Sequence, residues 1–567
     1  MPISQNKISA GLIKHLPLLL LFVAAGVFIL WMISLGQDIN WDLLNYHYYN
    51  PYALLRNRIG WDLAPAMQQS FHNPLLDLPI FLLIKNIPPL WVGLILTGFQ
   101  LLNLWLIWQL SRTVLRAAHL KYADWAALIL AILGFAGAGN IGELGGTMGD
   151  NIISLAILSI LLILIRTPEK PNWADNRLKI FGLSFLTGLS VSLKMTAAIF
   201  VPGILILLIL QNRRHWLKTL MIATLGLGSG FIILQANLMW QLWQNFGNPL
   251  FPYFNNLFKS SFTYLNANTD PRLLPHNLWE YLFYPFFFTF RPRLVSEVNW
   301  QDIRFFLAHA YIIAAGLFVI GYRYLEKKYE PAEKKFKFPE LSPGLSLIVF
   351  YVITYLVWAK LFGIYRYIIT LEFLAPLIIF FLAWSAWKWG EKSGSAIWRY
   401  LSWLPLLSAI ASLPILIMFY QPMYWGRIPW QKDSYFGIDK KDFTRYQGAT
   451  IFLGEGPQAY LVPYFPASSR FIRIYAPNSG EYYDSLNYQE LVPAKIYEGD
   501  NMYALLDTTG FWTRAEWLAA FTNILRRHGL LVTRNCQEIP DMLNLRPDMQ
   551  ASYYPVHRFL CKIQKLK

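Results

Sequence analysis

Residues 36 to 77 gather ionisable side chains unusually densely. The stretch "GQDINWDLLNYHYYNPYALLRNRIGWD" (36–62) carries Asp38, Asp42, His47 and Asp62, and His72 and Asp77 follow. A carboxylate held within reach of a hydroxyl can act as a general base. A second acidic stretch, "GELGGTMGD" (142–150), sets Glu143 and Asp150 in a Gly-rich turn just before an apolar run. Cations recur further on: Lys194 in "GLSVSLKMTA", then Lys360 and Arg366 in "WAKLFGIYRYIITLE". Arg offers a planar fork and Lys a point charge, and both suit a phosphate. Together these residues describe a cavity that binds a lipid phosphate and activates a nucleophile.

Within the first stretch Asp42 has the best claim to be the base. Asn45 and Tyr46 follow three and four residues later, so on a helix they share its face and can orient it. Asp38 comes directly after the first apolar run, where it can cap, bind a metal or support Asp42. His47 and His72 are secondary candidates, because histidines in a Tyr-rich loop are more often hydrogen-bonded interface residues than metal ligands. "NPYALLRNR" reads as an amphipathic helix along the membrane surface, with Arg56 and Arg58 on its wet side. Each charge alone also fits snorkelling or capping at an interface. Their joint pattern carries the inference.

The elements that must position these residues are membrane helices. Of 567 residues, 55% are hydrophobic and only 14% charged, a composition far from that of a soluble domain. Runs such as "LPLLLLFVAAGVFILWMISL" (16–35) approach the roughly 20 apolar residues that cross a hydrocarbon core of about 30 Å. No small-residue cleavage site follows this first run, so it reads as a retained helix. The net charge of +16 does not point to nucleic acid, because Lys and Arg concentrate in short connections between apolar runs. Lys7 and Lys14, Arg112 to Lys121, Arg166 to Lys179, Arg213 to Lys218, Arg323 to Lys337 and Lys388 to Arg399 mark cytoplasmic turns.

With those turns fixed, eleven crossings are expected near 16–35, 89–111, 123–140, 151–166, 180–193, 196–211, 217–239, 303–322, 343–359, 367–387 and 401–420. The N-terminus is then cytoplasmic and the C-terminus outside. The short segment "NPLLDLPIFLLIKN" (73–86) is expected to lie in the outer interface. Lys194 is expected at the apex of a tight outer hairpin, and the aromatic connection 240–302 at headgroup level. The fold class is therefore a polytopic α-helical membrane protein, with a transmembrane domain over 1–425. Residues 426–567 are expected to form a small extracytoplasmic α/β or α+β domain, with short strand-like runs and one helical stretch, "RAEWLAAFTNILRRHGLLVT". It holds both cysteines of the chain, Cys536 and Cys561, which outside the cytoplasm could pair or stay as two thiols.

This order of features resembles the GT-C superfamily of integral membrane glycosyltransferases, which includes aminoarabinose lipid A transferases and protein O-mannosyltransferases. Shared are the first helix, an acidic first loop, an interfacial helix, a second acidic turn and an outer C-terminal domain. "DLLNY" (42–46) is similar to the "Asp-Glu-x-x-Tyr" motif of the aminoarabinose enzymes, with Leu43 in place of the Glu. "GGTMGD" resembles the second acidic turn, and the settings of Lys194 and Arg366 resemble positions that face the lipid phosphate.

The resemblance implies an inverting transfer from a polyprenyl-phosphate sugar to a glycan, lipid or protein hydroxyl, in a bacterial inner membrane. Asp42 would be the base, and Lys194, Arg366 or both would stabilise the leaving phosphate. Some superfamily members use a divalent metal such as magnesium or manganese and others do not, and the residues leave both open. A lipid-linked glycan polymerase or ligase is the nearest alternative. A transporter or flippase fits less well, because there is no internal repeat and the charges gather at one membrane boundary.

Overall fold

A chain without water around it must satisfy its backbone internally, so apolar runs close into helices. The computed structural model describes residues 3–166, 173–263, 271–329, 341–392, 396–454, 456–474, 501–508, 513–539 and 557–566. The expected basic connections at Lys170, Lys334, Lys335 and Lys337 lie outside these residues. Seven helices among the described residues are long and apolar enough to cross a membrane. They are His15–Leu35, Pro89–Ala117, Arg213–Phe246, Arg304–Gly321, Pro343–Leu361, Tyr365–Lys392 and Arg399–Leu416. The other four expected stretches are helical too: Ala123–Phe135, Asp150–Ile165 and Met195–Gln211 are shorter, and Trp173–Leu193 completes the set. Two of the short helices begin beside a charged residue, Asp150 or Lys194, as expected where continuing a charge into hydrocarbon is costly.

Close packing of Trp173–Leu193 against Trp216–Phe246 depends on small residues. A Cβ on Gly188 would meet the Leu227 carbonyl at 2.2 Å, and one on Gly230 the Phe185 carbonyl at 2.2 Å. Without a hydrophobic drive between helices in lipid, such backbone proximity is what allows dispersion to hold a pair together. The 73–86 segment forms a helix only over Leu78–Asn86.

One end of this bundle carries the polar loops and the C-terminal domain. Strands β1 (Gln37–Asp38) and β2 (Arg427–Ile428) form a short antiparallel pair. A five-stranded sheet follows, from β3 (Thr450–Leu453), β4 (Arg470–Arg473), β5 (Met502–Thr508), β6 (Leu530–Ile539) and β7 (His557–Lys565). Its order is β4-β3-β5-β7-β6. β3 is parallel to β4 and β5, whereas β7 is antiparallel to β5 and β6. The amphipathic helix Arg514–Arg526 begins with a capping box at Thr513 and Glu516 and buries Trp517, Phe521 and Leu525 against the sheet. Cys536 and Cys561 face each other across β6 and β7 and form a disulfide.

The opening loop is fastened to this domain. Leu63 N–H donates to the Phe471 carbonyl at 2.8 Å, and Arg473 N–H donates to the Leu63 carbonyl at 3.0 Å. The loop thereby extends the open edge of the sheet beyond β4. Arg58 is not on a wet face as the sequence suggested. It is buried, paired with Asp62 through Nη2 at 2.7 Å, and donates to the carbonyls of Ala467 and Ser469 at 2.9 and 2.7 Å. The helix Tyr49–Leu55 ends before it, and the turn that follows points its guanidinium at the C-terminal domain. Of the two arginines, Arg56 stays exposed.

Candidate active site

Four loops deliver four charges to one place. The opening loop brings Asp42, the Gly-rich turn brings Asp150, the apex after Trp173–Leu193 brings Lys194, and the turn Tyr365–Ile368 brings Arg366. Arg366 Nη2 lies 2.9 Å from Asp42 Oδ2 and its Nη1 lies 3.4 Å from Asp150 Oδ2. Lys194 Nζ lies 2.7 Å from Asp150 Oδ1 and also donates to the Met148 carbonyl at 2.7 Å. The charges therefore alternate along a chain Asp42, Arg366, Asp150, Lys194. The Asp42 contact is ionic without a directed hydrogen bond to that oxygen, so Oδ2 is buried and poorly satisfied.

Local structure explains which side chains join. Leu43–His47 is a turn of π-helix, whose bonds run from i to i+5. Same-face positions then move from i+3 and i+4 towards i+4 and i+5, which puts Tyr46 and His47 beside Asp42. Asn45 falls off that face and donates instead to the Ala66 carbonyl at 3.2 Å, so it does not orient Asp42 as the α-helical reading expected. At the acidic turn, Gly145 and Gly149 have φ of +67° and +81°, a region open to Gly and costly for other residues. That sharp path lets Asp150 open its helix, where the N-terminal dipole favours a carboxylate.

The remaining candidates take other places. Asp38 is not beside Asp42. Its Oδ2 accepts from Thr147 N and Oγ1 at 2.8 and 2.9 Å and from Asn40 Nδ2 at 2.7 Å, and its Oδ1 accepts from Asn40 N at 3.0 Å. With its oxygens so engaged, it ties the opening loop to the acidic turn. Lys360 is exposed in the last turn of its helix, outside the charge chain, because the turn at Phe362 and Gly363 separates it from Arg366. Glu143 is buried, with Oε2 accepting from Asn151 N at 3.3 Å and the carboxyl within hydrogen-bonding reach of Asp150. His47 Nδ1 lies 2.7 Å from Asp77 Oδ1, and His72 Nε2 lies 2.8 Å from the Tyr253 hydroxyl. Tyr253 belongs to the aromatic connection 240–302, which thus reaches this end of the cluster.

Electrostatics separates the carboxylates. Burial disfavours the charged form of Asp42, but the charge of Arg366 above all, with Lys194 and a hydrogen bond from Tyr46, outweighs it and holds the pKa below its ordinary value. Glu143 moves the other way, because burial and then the neighbouring Asp150 charge push its carboxyl well above the usual range. Burial also lowers His72 to about 4, so the ring is neutral near pH 7.

Several contributing residues gave little signal in the sequence. Arg427, buried just before the sheet domain, donates to the carbonyls of Gly142 and Leu144 at 2.8 and 2.9 Å and to Gly36 at 3.3 Å, binding both acidic loops to one side chain. Glu372 accepts from Gly139 N and Asn140 N at 2.9 and 3.0 Å and from the Tyr365 hydroxyl at 2.9 Å, which ties the Arg366 turn to the acidic turn. Tyr367 lies under both cations, 5.0 Å from Arg366 and 5.9 Å from Lys194. Only Tyr367 had a cue, its place next to Arg366 in "GIYRY". Among the described residues no three His, Cys, Asp or Glu side chains converge as a metal-binding group. An open hollow of about 340 Å³ in the C-terminal domain, between Lys441–Tyr446 and Gln537–Ile539, is lined by none of the residues of the charge chain.

Residues 84–240 match the family model described as dolichyl-phosphate-mannose-protein mannosyltransferase. The matched stretch includes Glu143, Asp150 and Lys194 and excludes Asp42 and Arg366. A search of curated protein sequences finds no significant match. Solved structures similar to the chain include one from Cupriavidus metallidurans and one from Archaeoglobus fulgidus. ArnT from Cupriavidus metallidurans, solved bound to undecaprenyl phosphate, is 11% identical with a TM-score of 0.48, covering 96% of this chain and 97% of that one. The Archaeoglobus fulgidus oligosaccharyltransferase, solved with a tethered acceptor peptide, is 13% identical with a TM-score of 0.40, covering 88% of this chain and 70% of that one. The matched family is a membrane glycosyltransferase family, the class to which the GT-C resemblance in the sequence also leads.

Proposed function

We propose that this chain moves a sugar, with inversion, from a polyprenyl-phosphate carrier to an acceptor hydroxyl at the outer face of a bacterial inner membrane. The single observation that carries the reading is the buried alternation of Asp42, Arg366, Asp150 and Lys194. In this order two carboxylates neutralise two cations, so an arriving phosphate must compete for Arg366 and Lys194. That competition assigns the roles. The phosphate oxygens take up the cations, whose fixed charge then stabilises the phosphate as it leaves.

Asp42, relieved of part of its ion pair with Arg366, gains proton affinity once the donor is bound. It then takes the acceptor hydroxyl's proton as the oxygen attacks the anomeric carbon from the side opposite the phosphate. Before binding, the same ion pair keeps Asp42 ionised and weakly basic. Asp150 remains between the cations and holds their spacing, and Glu143, whose pKa burial and the Asp150 charge raise, takes on negative charge less readily. The outer position of these loops and of the C-terminal domain follows from the basic connections being cytoplasmic. A divalent cation would find carboxylate oxygens at Asp42 and Asp150, and no step of the transfer is routed through one.

The test replaces Asp42 with Asn and measures transfer from polyprenyl-phosphate sugars in reconstituted membranes. Removal of a general base is expected to lower kcat by about 10²- to 10⁴-fold while undecaprenyl phosphate still binds. Undiminished transfer at normal expression would remove Asp42 as the base.

A further inference from the structure

The proposed transfer leaves one polar group of the cluster unused. His47 closes the π-turn that begins at Asp42, and both its side chain and that of Asp77 are buried, at 4% and 5% exposure. Its Nδ1 lies 2.7 Å from Asp77 Oδ1. The Asp77 carboxylate oxygen is placed to accept from Nδ1–H, and with the proton on Nδ1 an uncharged ring offers Nε2 as an acceptor. That Nε2 is buried and has no hydrogen-bond partner among the described residues. The ring is further fixed by Tyr46, whose centroid is 4.1 Å away, and by the position of Asp77 directly before the helix Leu78–Asn86. A buried acceptor held in one tautomer, one π-turn from the proposed base and without a donor, is costly unless a ligand supplies the donor.

We infer that His47 Nε2 accepts a hydrogen bond from a substrate hydroxyl, with Asp77 as the positioning residue that fixes the tautomer. The inference rests on the sugar-transfer reading. The ligand chemistry is a hydroxyl with two sources, the donor sugar or the acceptor. No bond is made or broken at His47 itself. Because the site is built to receive a hydroxyl, the residue contributes to specificity: a substrate lacking that group leaves the acceptor buried and unpaired.

The experiment compares His47→Leu, which removes the acceptor, with His47→Gln, which can return a carbonyl oxygen near the same place. Transfer is measured with donor and acceptor varied separately, and binding of undecaprenyl phosphate, which has neither sugar nor acceptor hydroxyl, is followed by thermal shift. Loss of one buried hydrogen bond is expected to lower kcat/KM by about 10- to 100-fold in His47→Leu. His47→Gln should recover most of it, and undecaprenyl phosphate should bind all forms equally. A donor-sugar contact raises the KM for donor and slows its hydrolysis in the absence of acceptor. An acceptor contact raises only the KM for acceptor.

Transfer by His47→Leu within twofold of the unaltered protein would overturn the inference. So would equal loss of transfer and undecaprenyl phosphate binding in both variants, which is what a purely structural histidine would give. If His47→Leu does not fold, Asp77→Asn carries the test: it keeps the shape, releases the tautomer and should lower transfer with phosphate binding intact, and full activity there overturns the proposal. The underlying reading fails separately, through undiminished transfer by Asp42→Asn.

Discussion

Arg366 stands between Asp42, 2.9 Å from Nη2, and Asp150, 3.4 Å from Nη1, so one guanidinium joins two acidic loops that are far apart in the chain. Its planar fork suits two carboxylates, and equally two oxygens of one phosphate, which a Lys cannot match. Arg366→Gln is therefore expected to lower kcat/KM for transfer by about 10²- to 10³-fold, the usual cost of removing a fixed donor at a developing charge. Arg366→Lys should fall in between. Product inhibition by undecaprenyl phosphate is the direct readout and should weaken in the same order. Unchanged inhibition in Arg366→Gln would place the phosphate elsewhere.

The depressed pKa of Asp42 gives a signed pH dependence. Its folded-state value lies below the ordinary 3.8, so the group contributes stability above the unfolded pKa and loses it as pH falls through the folded one. The acid limb of kcat/KM, which reports the free enzyme, should accordingly lie below the ordinary carboxylate range. Among the neighbours that hold the Asp42 carboxyl down against burial, the Arg366 guanidinium acts most strongly. The limb in Arg366→Gln should move upward relative to the unaltered protein, and a limb that stays in place would separate Asp42 from the measured ionisation.

Glu143 supplies the opposite sign. Burial and the Asp150 charge raise its pKa well above the ordinary 4.5, so its contribution to stability is present below 4.5 and is lost as pH rises through the folded value. Glu143→Gln imitates the protonated form and cannot ionise. Thermal unfolding in detergent should show the variant about as stable as the unaltered protein at mildly acidic pH and less sensitive to alkali. Equal alkaline losses in both would show that Glu143 is not the group being ionised.

The charge chain was legible from residue type and spacing because membrane boundaries make charges rare. Asp150, Lys194 and Arg366 stood out against apolar surroundings, and Asp42 by the dense polar loop that follows the first hydrophobic run. What could not be read was how the loops are tied together. Asp38 was read as a possible support for Asp42 because its bonds to Thr147 depend on a turn more than a hundred residues away. Arg58 looked wet because local periodicity cannot reveal a sheet edge folded over it from beyond residue 450. The π-turn that turns Asn45 away and His47 inward has no pattern in "DLLNYH" distinct from an α-helix. Arg427 and Glu372 act through backbone carbonyls and amides, which leave no trace in side-chain spacing.

The clasp at Arg58 offers the sharpest test of whether the C-terminal domain holds the opening loop in place. Asp62 accepts from Arg58 Nη2 at 2.7 Å, from Phe471 N at 3.0 Å and from the Tyr49 hydroxyl at 2.9 Å, and both charged groups are buried. Removing one member of a buried pair costs about 3–5 kcal/mol, because the other charge is left uncompensated. Arg58→Met should therefore lower the unfolding temperature and open the segment around Leu63 to limited proteolysis. Arg58→Met combined with Asp62→Leu should recover part of that loss, since no charge is then stranded. Asp42 sits on the same loop, so transfer should fall with the loosening and return with the double substitution. A loop that became protease-sensitive while transfer stayed unchanged would show that the clasp secures the domain without positioning Asp42.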